Sequence, residues 1–250
     1  IAKRMHISPM VVGLTVVSFG TSAPELLVSL QAALEGHADI AVGNVIGSNI
    51  ANLALVLGCT ALVLPIPVAR NTIRVDWPAM MIATLMFTFA IQDGEISQVE
   101  GVVFFTSLVG YIFFLFYKSR KETKAQRTEQ VLSGEAEETS AKKGLLLDIG
   151  LVILGCVGLV FGADLLVGGA TSLAQSYGIS ERVIAVTVVA FGTSVPELAT
   201  SLIAAFRKEL DISVGNLIGS NIFNICAVLG LTSIVTPIGV NQAVIDSDIY

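Results

Sequence analysis

Residues 20–30 read GTSAPELLVSL and residues 43–58 read GNVIGSNIANLALVLG; further on, residues 192–202 read GTSVPELATSL and residues 215–230 read GNLIGSNIFNICAVLG. Both pairs belong to one longer match. Residues 7–58 align without a gap with residues 179–230 at a constant offset of 172, and 31 of the 52 positions are identical. A gapless repeat of this length is one structural unit used twice.

The surroundings say what kind of unit it is. Hydrophobic residues make up 54% of the 250, charged residues only 14%, and the mean hydropathy is +0.80, which excludes an ordinary water-soluble globule. A bilayer core of about 30 Å takes roughly 20 helical residues. Seven apolar stretches of that order appear, at 9–33, 40–64, 77–92, 98–117, 145–168, 182–206 and 212–237. They are expected to be helices, because a lone apolar strand leaves its backbone unpaired in lipid and the period-two alternation of a barrel is absent.

The segment 118–143 holds seven of the 14 basic residues and five glutamates, so it reads as a solvated cytoplasmic linker. It divides the chain into a first half, 1–117, a linker, 118–144, and a second half, 145–250. Counting spans outward puts Lys3, Arg4, Arg70, Arg74, Arg207 and Lys208 on the cytoplasmic side and residues 35–39, 93–100 and Tyr177 outside; only Arg182 falls on the wrong side. Five spans separate the starts of the two copies, and an odd number makes the copies cross in opposite directions. The expected fold is an all-α membrane protein, an inverted-repeat multi-span helical bundle with broken helices at the midplane. This is the architecture of alternating-access transporters, which hold their ion where the halves meet.

Other readings find little support. A balance of 14 basic to 20 acidic residues, net −6, leaves no basic stripe for nucleic acid. Cys59, Cys156 and Cys226 lie far apart in apolar runs without metal-ligand spacing, and read as small buried hydrophobes. His6 and His37 read as solvated surface. The chain opens with Ile1, no signal peptide is visible, and its last residues resemble the opening of another segment, so it is expected to be a piece of a longer protein.

Each copy places a carboxylate, Glu25 or Glu197, in the middle of an apolar span, where even low insertion scales charge a few kcal/mol. The neighbours give a reason. Ser18, Ser22, Glu25 and Ser29 fall on one helical face, as do Ser194, Glu197 and Ser201. Pro24 and Pro196 cannot donate to the carbonyls of Gly20 and Gly192, so each helix is expected to kink there and expose carbonyl oxygens to a cavity. Asn44, Ser48 and Asn52 recur every four residues, as do Asn216, Ser220 and Asn224, giving an oxygen-bearing stripe; Gly43 and Gly47, with Gly215 and Gly219, form GxxxG patterns for close helix approach. Hard oxygen ligands without His or Cys suit Ca²⁺, and Na⁺ of similar radius. Two carboxylates neutralise one Ca²⁺, and its departure leaves two buried like charges that other cations or protons must compensate. Ion exchange follows from charge balance.

With these doubled G-T-S-x-P-E and G-N-x-x-G-S-N motifs, the chain resembles the cation/Ca²⁺ antiporter superfamily, and within it the bacterial branch of the sodium/calcium exchangers. The resemblance implies that Glu25 and Glu197 are the central ligands for Ca²⁺ and Na⁺, the transported ions, with no cofactor. It further implies ligands at Thr21, Ser22, Thr193 and Ser194, at the backbone carbonyls of Ser18 and Ala190, and at Ser48, Ser220, Asn52 and Asn224. It implies a multi-pass protein of the bacterial or archaeal inner (plasma) membrane, in contact with lipid. In this ten-helix family the chain would hold the second helix to the start of the ninth, and a preceding helix would pair with 145–168 as a sliding gate. Where some exchangers carry aspartate, asparagine at both 52 and 224 argues against K⁺ dependence.

Alternatives remain at this point: a Ca²⁺/H⁺ antiporter using the same carboxylates, an intramembrane enzyme, for which no HExxH, GxGD, P-loop or nucleophile/base pair is present, and a passive channel. Asn49 and Asn221, off the stripe, read as structural, as does Asp164, and local hydrogen bonding is a full competitor for Ser18, Ser29 and Ser201.

Overall fold

The computed structural model describes residues 7–66, 68–132, 145–178 and 190–240. Lys3, Arg4, His6 and Arg182, the opening of the second repeat copy at 179–189, and residues 133–144 and 241–250 lie outside them. The elements are α1 (Pro9–Thr21), α2 (Ala23–Leu34), α3 (Ala38–Val63), α4 (Thr72–Asp93), β1 (Glu95–Ile96), α5 (Gln98–Leu132), α6 (Leu145–Ser176), α7 (Ala190–Thr193), α8 (Val195–Phe206), α9 (Leu210–Val235) and β2 (Ile238–Gly239).

Ser8 opens α1: its hydroxyl accepts the Val11 N–H at 3.3 Å, and Pro9 takes the first position, where no N–H is required. α1 and α2 meet at 44° across Ser22, as expected of a proline two residues on. α7 and α8 meet across Ser194 with the same backbone, φ −88° and ψ 0° against φ −86° and ψ 6° at Ser22. The two glutamate helices also end alike. In α2, Gly36 (φ 83°) lets the His37 N–H return to Ala32 at 2.8 Å; in α8, Lys208 (φ 62°) does the same for Glu209 and Ala204 at 2.9 Å.

α3, α4, α5 as far as Glu122, α6 from Gly150 to Ala170, and α9 are each long and apolar enough to cross a membrane, and the bent pair α1–α2 makes a sixth crossing. The chain is a multi-pass membrane protein. The stretch expected at 182–206 is described only from residue 190. Three boundaries differ from expectation: α6 continues past 168 to Ser176, and two others shift where polar residues are helical. α4 begins at Thr72 because the polar TIRVD stretch forms a π-helical turn instead of a loop. α5 runs on through the charged segment to Leu132, since Lys, Arg, Glu and Gln are good helix formers even where they cannot be buried.

The Ser8 N–H donates to Ser119 Oγ at 2.8 Å and Lys118 Nζ to Asn71 Oδ1 at 3.3 Å, which collects the starts of α1 and α4 and the polar part of α5 at one end. Residues 36–39, Gly94 and Gly239 border one pocket at the other end. There β1 and β2 pair antiparallel, Ile96 opposite Ile238, and a Ser97–Glu100 capping box starts α5. α3 therefore runs away from this end and α9 toward it, opposite directions as an inverted repeat requires.

α9 is the central helix, buried over most of its length, whereas the α6 span has almost no buried residues. Glycine makes the packing on α1 possible: a Cβ on Gly215 would lie 2.6 Å from the Met10 carbonyl oxygen, and one on Gly219 2.7 Å from that of Leu14. Gly43 and Gly47 meet nothing within 4 Å. By the offset of 172, the segment corresponding to their expected partner falls at 182–190, almost wholly outside the described residues.

Candidate functional site

The breaks place Glu25 and Glu197 in the first turns of α2 and α8, where helix dipoles favour a carboxylate. Both are fully buried. Around them lie Thr21, Ser22, Ser48, Asn52, Thr193, Ser194, Ser220 and Asn224, all buried.

Contacts cross between the copies in matched pairs. Thr21 Oγ1 donates to Asn216 Oδ1 at 3.1 Å and lies 3.3 Å from Ser220 Oγ; Thr193 Oγ1 donates to Asn44 Oδ1 at 3.5 Å and lies 3.4 Å from Ser48 Oγ. Ser22 Oγ donates to Glu197 Oε1 at 3.4 Å. These bonds are long and therefore weak.

Asn44 and Asn216 fasten the helices together. Their Nδ2 groups donate to the carbonyls of Glu25 (3.2 Å) and Glu197 (3.4 Å), and to Ser29 Oγ (2.9 Å) and Ser201 Oγ (3.1 Å). Ser29 and Ser201 are thus engaged in packing. Ser18 Oγ donates to the Gly13 and Asn216 carbonyls at 2.8 and 3.1 Å. The Ser18 carbonyl receives the Ser22 N–H at 2.9 Å and, over a long 3.4 Å, the Thr21 hydroxyl. In the second copy the Ser194 N–H goes to Phe191, at 3.1 Å, and not to Ala190.

The decisive feature is what lacks a partner. Glu25 Oε1 and Oε2, Glu197 Oε2, Asn52 Oδ1, Asn224 Oδ1 and Ser194 Oγ are buried with no hydrogen bond; Thr232 Oγ1, toward the end of α9, is the remaining such atom among the described residues. An orphaned buried polar atom costs about 1–3 kcal/mol, so six on the repeated motifs need an explanation. Five of the six can only accept. Unpaired acceptors are complementary to a cation.

Both asparagines begin π-helical turns, Asn52–Val56 in α3 and Asn224–Leu229 in α9, which locally loosen the helix and are frequent at functional sites. Asn49 and Asn221, read from the sequence as structural, pair with the asparagines of the stripe. Asn52 Nδ2 donates to Asn221 Oδ1 at 3.1 Å and Asn224 Nδ2 to Asn49 Oδ1 at 3.0 Å, two amide pairs that each bridge the copies. The doubled N-x-x-N spacing puts both amides on adjoining helix positions. Asp164 is exposed on α6, and Cys59, Cys156 and Cys226 are free thiols.

A family model described as sodium/calcium exchanger protein matches residues 1–117 and 147–249. The inner membrane protein YrbG of Escherichia coli is 37% identical over 242 residues, covering 95% of this chain and 73% of that protein. The Ca(2+)/H(+) antiporter ChaA of Bacillus subtilis is 26% identical over 227 residues, covering 86% and 64%. Among solved structures, the sodium-calcium exchanger NCX_Mj soaked with zero Na⁺ and Ca²⁺ superposes with a TM-score of 0.81 at 32% identity, covering 100% of this chain and 78% of that one. With its doubled motifs, opposed asparagine helices and paired buried glutamates, the chain belongs to the sodium/calcium exchanger protein family, a family of transporters and not of enzymes.

Proposed function

We propose that the protein exchanges Na⁺ for Ca²⁺ across the inner membrane by alternating access around one fixed site. Glu25 and Glu197 are its central ligands, joined by Asn52, Asn224 and Ser194. The hydroxyls of Thr21, Thr193, Ser22, Ser48 and Ser220 and the carbonyls of Ser18 and Ala190 complete the set as the ion changes. The halves 1–117 and 145–250, joined by 118–144, rock against each other.

One observation supports this reading above the rest: the orphaned oxygens occur at repeat-related positions, Glu25 with Glu197 and Asn52 with Asn224. Chance voids have no reason to respect a 172-residue offset. Two carboxylates balance one Ca²⁺ or two Na⁺, so the occupied site is neutral enough to move through a dry barrier, while the empty site carries two uncompensated charges that hold it in place.

Sodium is preferred to protons as the coupling ion because amides at both Asn52 and Asn224 keep two neutral oxygen ligands in the site, which a proton does not need. A Ca²⁺/H⁺ antiporter is the second reading, favoured by the likeness to ChaA. Ca²⁺ uptake into proteoliposomes under an outward Na⁺ gradient, against a matched H⁺ gradient, tests the choice. Uptake driven by Na⁺ alone is expected, and uptake driven only by H⁺ overturns the coupling ion.

A further inference from the structure

A buried amide has two unlike ends, and a cation binds only one of them. If Asn52 or Asn224 turned its NH₂ toward the site, it would present a donor to the ion and repel it. Oxygen and nitrogen of an amide are distinguished only by their partners, so something outside the site must set the polarity. Asn49 and Asn221 are placed to do this.

The donor–acceptor logic starts from groups that cannot reverse. The Asn221 backbone carbonyl can only accept, and Asn49 Nδ2 donates to it at 3.4 Å. That turns Asn49 Oδ1 to Asn224, which must answer with Nδ2, at 3.0 Å. Asn224 Oδ1 is then the end left without a partner. In the other relay the fixed group is the Met80 thioether, a weak acceptor with no hydrogen to give. Asn221 Nδ2 donates to Met80 Sδ at 3.6 Å, Asn221 Oδ1 receives Asn52 Nδ2 at 3.1 Å, and Asn52 Oδ1 is left without a partner. The two relays run in opposite directions through α3 and α9 and end on the same kind of atom.

We infer that Asn49 and Asn221, the latter steered by Met80, are positioning residues that fix the Asn224 and Asn52 amides oxygen-inward and so set the site's affinity for its cation. The inference rests on the reading of Asn52 and Asn224 as ligands. It also gives Met80, an apolar residue of α4 outside both repeat copies, a polar task.

The test is the Ca²⁺ concentration dependence of uptake by the protein in proteoliposomes, with the Ca²⁺-induced rise in unfolding temperature as a second readout. Asn49→Leu is expected to weaken apparent Ca²⁺ affinity 10- to 100-fold, as loss of an orienting partner does at metal sites. A carboxylate has oxygen at both ends and needs no orienting, so in the Asn224→Asp background the same change is expected to cost less than about threefold, a non-additivity that marks direct coupling. Equal losses in both backgrounds mean that Asn49 merely packs, and overturn the inference. Met80→Leu, which nearly conserves volume, does not depend on the Asn49 variants folding: a loss of about threefold that vanishes with Asn52→Asp supports the second relay, and an unchanged affinity overturns it. Asn224→Ala separates the two levels. Unchanged Ca²⁺ affinity there refutes the ligand reading itself, whereas a loss there with none in Asn49→Leu refutes the relay alone.

Discussion

Replacing Glu197 with glutamine changes one atom and removes one charge, which makes it a sharp probe of the site. Glu197 is fully buried, accepts one long bond from Ser22 and has Oε2 unpaired, so no surface residue or ion pair is disturbed by the change. A carboxylate and a Ca²⁺ ion at a ligand distance of about 2.4 Å attract by roughly 14 kcal/mol at an effective dielectric of about 20. Most of this is offset by stripping water from the ion. If only about 3 kcal/mol survives, the apparent affinity falls more than a hundredfold. Ca²⁺ uptake by proteoliposomes over a wide concentration range reads the change, and Glu25→Gln is expected to act in the same direction because the carboxylates occupy equivalent positions. An apparent affinity within threefold of the unaltered protein for both variants refutes the reasoning, since a site holding Ca²⁺ cannot lose half its charge without effect.

Other expectations follow from the frame that holds the site. Gly219→Ala puts a Cβ 2.7 Å from the Leu14 carbonyl, forcing α1 from α9; a loss of about 1–3 kcal/mol in stability and strongly reduced uptake are expected, measured by unfolding in detergent and by flux. Pro196→Ala returns an N–H to the Gly192 carbonyl and straightens the break between α7 and α8, so Ca²⁺ affinity is expected to fall about tenfold, the worth of one displaced ligand or hydrogen bond, without loss of folding. Lys208→Gly relieves a left-handed lysine at φ 62° and is expected to stabilise the protein by about 1 kcal/mol, leaving uptake unchanged; a lower unfolding temperature would count against this account of the α8 terminus.

The parts of the architecture legible in sequence are those that repeat or break a rule. The proline after Gly-Thr-Ser marks both helix breaks, and the odd number of intervening spans gives the opposed directions of α3 and α9. Boundaries were less legible where polar residues remain helical: Thr72–Asp76 takes a π-helical turn and α5 continues to Leu132, and hydropathy is blind to both. At the site, the spacing of Glu25, Asn52 and their counterparts is a sequence property, whereas the roles of Asn49, Asn221 and Met80 depend on how α3, α4 and α9 face one another. Nothing along a single helix encodes a bond between residues 169 or 175 positions apart. Ser29 and Ser201 show the converse. They share the glutamate face by periodicity, yet Asn44 and Asn216 reach them first.

The central claim is that one divalent cation sits between Glu25 and Glu197. Crystals of the protein soaked in Sr²⁺, a Ca²⁺ substitute with strong anomalous scattering, locate such an ion directly. The account predicts one dominant anomalous peak within about 2.6 Å of oxygens from both glutamates, with the Asn52 and Asn224 Oδ1 atoms turned toward it. A dominant peak bound elsewhere, or none at concentrations that sustain uptake, would contradict it.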